Sequence, residues 1–120
     1  MVHAKLVQEE VREEDRLFLS TYLEMRNAGL ILLSEGEDQL GTLAVALPQS
    51  GKLLGPPLSS ILLGDRNTTI TRILAEHLAK KLNKIALVSV FTKTITEKEV
   101  GPFLVKLIEK MIEKKEGDVK

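Results

Sequence analysis

Residues 62–84 read LLGDRNTTITRILAEHLAKKLNK, and they set Gly64, Asp65, Asn67, Thr68 and Thr69 where an apolar run gives way to a helical period. Strand-to-helix turns of this kind hold phosphate in many enzymes, because the first backbone N–H groups of a helix are free and its dipole attracts anions. The residue types here point to a different use. One glycine stands in the turn, so no backbone nest for an anion is evident. Asp65 carries a negative charge that suits the helix dipole but opposes a second anion. Asp65, Asn67 and Thr68 can each accept from free N–H groups and are assigned as N-caps, each worth about 1 kcal/mol.

Other chemistry is sparse. The two histidines, His3 and His77, are far apart in sequence, and His77 falls near the edge of an apolar helical stripe, so a metal site is not expected. The carboxylate pairs in EED (13–15), EGED (35–38) and EKKEGD (113–118) sit in turns and the tail, where solvation explains them better than acid–base work. Gly51-Lys52 in QSGKLL resembles the end of a P-loop. The first glycine of that motif would fall at Ala46, and Leu53 stands where Ser or Thr should meet magnesium, so the match fails. With no cysteine, thiolate catalysis, disulfides and cysteine-rich zinc sites are excluded. No catalytic, cofactor-binding or metal residue is assigned; the reading is of a protein that is not an enzyme and needs no cofactor.

Bulk properties agree. Seventeen basic and 17 acidic side chains cancel, which argues against nucleic acid as a partner. No apolar run approaches the ~18 residues of a membrane span, and VHAKLVQEEVREED lacks the apolar region of a signal peptide, so a cytoplasmic protein without a membrane partner is expected. A length of 120 residues favours one domain, 1–120.

The elements that must position these residues follow from periodicity. Strands are expected over 4–11, 16–25, 30–33, 41–48, 58–64 and 84–91, and helices over about 67–82 and 99–115. In the second strand Leu17, Leu19, Thr21, Leu23 and Met25 share one face. In the first helix Ile70, Ile73, Leu74, Leu78 and Leu82 form the apolar stripe. Thr96 and Glu99 form a capping box before the last helix. The order β-β-β-β-β-α-β-α, with short connections between early strands, gives an α+β fold: a six-stranded, mainly antiparallel sheet with two helices on one face.

Strands such as LILL, LAVAL and IALVSVF are apolar on both faces, and two helices can cover only one. The expectation is a sheet-to-sheet dimer through Leu43, Val45 and Leu47, although strand parity could set Val45 beneath the helices instead. Closure of the sheet on itself is the alternative. The loop QSGKLLGPP (49–57) offers Leu53 and Leu54 as partner contacts, the alternative being that both fold back on the sheet.

The stretch LAVAL, then S-x-L-L-G-D, a Thr-rich turn, LA-x-x-LAKK-x-NK and an apolar strand resembles the small proteasome-assembly chaperones. The likeness is to the third and fourth of that eukaryotic set, and closer to the fourth, with GTL (41–43) shared with the third. The specific residues cover 41–91; the element order agrees over nearly the whole chain. The resemblance implies a non-enzymatic chaperone that binds proteasome α subunits and promotes α-ring assembly, as a homodimer or paired with a paralogue. An archaeal homologue is one form it admits. Two other classes remain open: a roadblock- or longin-like dimeric adaptor, disfavoured by five strands before the first helix, and a small phosphate- or nucleotide-binding protein using residues 65–69.

Overall fold

The computed structural model describes residues 4–13, 15–49 and 58–117. Its elements run β1 (Lys5–Glu13), β2 (Arg16–Glu24), β3 (Ala28–Glu35), β4 (Thr42–Leu47), β5 (Leu58–Leu63), α1 (Thr68–Leu82), β6 (Ile85–Phe91) and α2 (Glu97–Gly117). All eight expected elements are present, in the expected order and within a few residues of the expected ends.

The strands form one sheet in the order β1-β2-β3-β6-β4-β5. Four of its pairings are antiparallel; β3 and β6 are parallel. Short connections join β1 to β2 and β2 to β3 as hairpins, as chain geometry requires. The next connection behaves otherwise. β3 and β4 do not pair, because β6 enters between them after α1 has crossed the sheet. The strand made last therefore sits at the centre, with Ala86, Val88 and Val90 buried beneath α1.

Both helices lie on one face and touch each other and the sheet. α1 buries Ile70, Thr71, Leu74, Ala75, Leu78 and Ala79. Ile73, expected in this stripe, is 50% exposed. Ala75 and Ala79 take the centre of the buried stripe, which lets the helix approach the sheet closely. α2 buries Val100, Leu104, Leu107, Ile108, Met111 and Ile112 against the β1–β2 end. Its start carries the expected box in part: the Thr96 hydroxyl accepts from the Glu99 N–H at 3.3 Å and donates to the Glu99 carboxylate at 2.8 Å. His77 Nε2 meets Glu109 Oε1 at 2.7 Å and Lys81 lies 3.4 Å from the same carboxylate, tying α1 to α2. The His77 contact, with Lys81 beside it, holds the Glu109 carboxyl below its ordinary value.

The face beneath the helices is not the one that the leucines of β2 suggest. Phe18, Ser20, Tyr22 and Glu24 are buried, while Leu17, Leu19 and Leu23 point the other way. The polar members of the buried set have partners. Ser20 Oγ lies 3.2 Å from Met111 Sδ, and the Tyr22 hydroxyl donates to Glu24 at 3.2 Å. Lys84 pairs with Glu24 at 2.5 Å. Burial and the Glu24 charge push the Tyr22 hydroxyl far up, so it remains a neutral donor.

Candidate functional site

Three places could do something: the start of α1, the loop before α2, and the sheet face away from the helices.

At the start of α1 the chain is drawn tight. Gly64 has φ +95°, a left-handed conformation that glycine adopts without strain. Gly41 passes against β6 so closely that a Cβ would lie 2.1 Å from the Val90 carbonyl oxygen. The Thr42 hydroxyl donates to the Arg66 carbonyl. Asn67 occupies the N-cap position with φ 59°, and no side chain caps the helix. This corrects the capping expected of Asx and Thr side chains here. A capping residue normally has extended backbone, which folds its side chain over the free N–H groups. In the left-handed conformation the Asn67 amide turns away instead and donates to Thr92 Oγ1 at 2.9 Å. Its carbonyl accepts from the Thr71 N–H at 3.0 Å and the Thr71 hydroxyl at 2.6 Å. Thr68 is the first helical residue, and Asp65 is exposed in the preceding turn.

A small cavity of about 140 Å³ lies here, lined by Gly41, Thr42, Gly64, Asp65, Arg66, Asn67 and Thr92 among others. Small-molecule sites run larger, roughly 300–1,000 Å³, and need converging free polar groups. Here Thr42, Asn67 and Thr92 are bonded to one another's segments. The turn works as a clasp that fixes the ends of β4 and β6 to the start of α1.

The loop before α2 holds a residue that the sequence hid. Glu35 reads as part of a polar, solvated turn, yet it is 5% exposed. Its carboxylate accepts from the backbone N–H groups of Lys93, Thr94 and Ile95 at 2.8, 3.1 and 3.4 Å, and from the Thr94 hydroxyl at 2.5 Å. Burial pushes the Glu35 carboxyl up, but these four donors outweigh it and hold it below its ordinary value. The arrangement anchors the entry to α2. It is structural, since every oxygen contact goes to the protein's own loop.

Among the described residues no group of three or more His, Asp or Glu side chains could hold a metal ion, and no helix is long and apolar enough to cross a membrane. His3 lies outside the described residues.

The sheet face away from the helices is the largest unexplained feature. One row of strand partners crosses the whole sheet there: Leu6, Leu23, Leu30, Leu87, Val45 and Ser60. Leu6 is 60% exposed, and Leu23, Leu30, Leu87 and Val45 are half-buried only by their neighbours on the same face. Leu43, Val45 and Leu47, the residues expected to join two copies, all lie on this face. Val45 faces away from the helices, which resolves the parity question. Leu47, Leu58 and Leu62 extend the apolar surface to the β5 edge, with Leu58 at 70% exposure. Leu53 and Leu54, expected to contact a partner, lie outside the described residues.

No protein-family model and no curated protein matches the chain. Among solved structures, the fold is similar to a chain of a chaperone complex for yeast 20S proteasome assembly. The TM-score is 0.69, with 98% of each chain covered and 11% sequence identity. At that identity the likeness is one of fold, and it extends over the same strands and helices that leave the apolar face open.

Proposed function

We propose that this chain is a proteasome-assembly chaperone: a non-enzymatic, cytoplasmic protein that binds proteasome α subunits and promotes α-ring assembly. Its active form is a dimer, with itself or a paralogue, joined through the open sheet face with the helices outside. The reading is carried by one observation, an apolar sheet face that no described residue covers, on a fold like that of the yeast assembly-chaperone chain. Exposed apolar surface of this extent marks an interaction site. Sheet-on-sheet packing at ~10 Å would bury the row from Leu6 to Val45 between two copies. A phosphate- or nucleotide-binding role finds little support at the start of α1, where Thr42, Asn67 and Thr92 are already bonded and the cavity is small.

Co-expression with α subunits of the same organism tests the assembly role. The chain should co-purify with free α subunits or α rings and not with mature particles containing β subunits. Failure to bind any α subunit, or equal binding to mature particles, overturns the assignment.

A further inference from the structure

The helix layer carries a groove that the dimer leaves open. It has a volume of about 440 Å³ and runs between α2 and the β1 edge. Its apolar surface is Val11, Pro102, Phe103 and Leu107. The floor is firmly seated: Leu107 is buried, and the Phe103 ring packs on Phe18 with centroids 4.7 Å apart. Phe18 is also the strand partner of Val11, so floor and wall belong to one cluster.

Charge along the groove leans positive, with Lys106 and Lys110 set against one lining carboxylate, Glu99. Lys106 and Lys110 stand four residues apart on one face of α2, both exposed. Among the described residues, the lysines that form ion pairs are Lys81, Lys84, Lys93 and Lys114, not these two. Two carboxylates lie nearby: Glu99 lines the groove, and Glu9 is close enough to feel the Lys110 charge as well as that of Lys114. Glu9 is held by Lys114 at 2.7 Å, and Glu99 accepts from Thr96 at the helix start.

We infer that this groove docks an acidic, amphipathic peptide segment of a partner protein. Bulky apolar side chains of that segment lie against Val11, Phe103 and Leu107, and its carboxylates meet Lys106 and Lys110. The complementarity is of both kinds, apolar floor to apolar side chain and cation pair to anion. The groove is open along its length, which suits a segment of chain rather than an enclosed small molecule. It lies on the side opposite the proposed sheet-to-sheet contact, so one protein can use both surfaces at once. The inference does not depend on the proteasome reading.

A synthetic peptide with leucine and phenylalanine set among glutamates, labelled for fluorescence anisotropy, is the probe. The full chain should bind it, with affinity that falls as salt rises, and amide shifts should centre on Val11, Phe103 and Leu107. Lys106→Glu with Lys110→Glu should weaken binding by about tenfold or more. Both side chains are exposed, so the variant folds, and circular dichroism checks that. Two control peptides set the chemistry: one with lysine in place of glutamate, one with serine in place of leucine and phenylalanine. Both should bind at least about tenfold more weakly. Equal binding of either control, an unchanged affinity for the double variant, shifts on the open sheet face instead, or no binding of the acidic peptide would each overturn the inference.

Discussion

Two neighbouring rows of the same sheet have opposite fates. Val7, Tyr22, Ile31, Val88, Ala44 and Ile61 form the row beneath the helices, and all but Ile61 are buried. Shift every strand by one residue toward the other face, and the row becomes Leu6, Leu23, Leu30, Leu87, Val45 and Ser60, none of it fully covered. The open row is the richer in leucine. The covered row contains a tyrosine and two small or medium side chains at its α1 end. Apolar content therefore does not decide which face the helices choose. Fit does: Ala44, Ala46 and Ala86 lie on the face of β4 and β6 that α1 covers, α1 buries Ala75 and Ala79, and small residues on both sides allow close approach. The bulky face is left uncovered by either helix.

The sharpest way to break the difference is to cut into the covered side. Leu74 is fully buried in the middle of α1. Leu74→Ala should cost about 2–5 kcal/mol, from lost transfer energy plus the cavity left behind. Urea unfolding reads this directly. A cost below about 1 kcal/mol, far under the usual range for a filled core, would show that α1 is not seated as described.

Glu35 tests the same side through its charge. Glu35→Ala leaves the Lys93, Thr94 and Ile95 N–H groups without their acceptor in a buried loop, at about 1–3 kcal/mol. The sign of the pH effect is fixed by direction. The folded carboxyl lies below its ordinary value of 4.5, so its stabilisation is full above that value and is lost as pH falls through the folded pKa. Below pH 4.5 the native protein should lose stability more steeply than Glu35→Ala, closing part of the gap between them. Parallel pH curves would show that Glu35 is not the carboxylate that senses acid.

These cases mark what the sequence reveals and what it withholds. Strands and helices are legible because period and punctuation are local, and so is the surplus of apolar surface, since LILL and LAVAL cannot be satisfied by one face. Leu43, Val45 and Leu47 follow from that surplus. Which alternation goes under the helices is not legible: the leucines of β2 look like the core face, and Ser20 and Glu24 look solvated until Met111, Tyr22 and Lys84 are brought to them. Insertion of β6 between β3 and β4 is equally hidden, because periodicity carries no strand order. Glu35 reads as a turn residue because its donors come from a loop 58–60 positions later. At Asn67 the residue type suggested a cap, but backbone handedness, which residue type does not fix, decided its use.

The open side is tested by a change meant to spare the fold and break the contact. Leu87 lies at the centre of the open row, between Leu30 and Val45, on the strand that occupies the middle of the sheet. Its side chain points away from both helices, so Leu87→Glu leaves the covered core untouched. In dilute solution, where the protein is monomeric, its stability should change by only about 1 kcal/mol, the span of strand preferences. At micromolar concentration the native chain should scatter light as about twice its 13.3 kDa mass, because two apolar faces are buried together. Leu87→Glu puts a carboxylate in the centre of that contact, opposite apolar partners, and desolvating it without a counter-charge costs more than the contact gains. The variant should therefore run as a monomer, and Val45→Glu should do the same from the neighbouring strand. A native chain that is already a clean monomer, or a Leu87→Glu variant that stays dimeric and folded, would mean that the open face is not where copies meet.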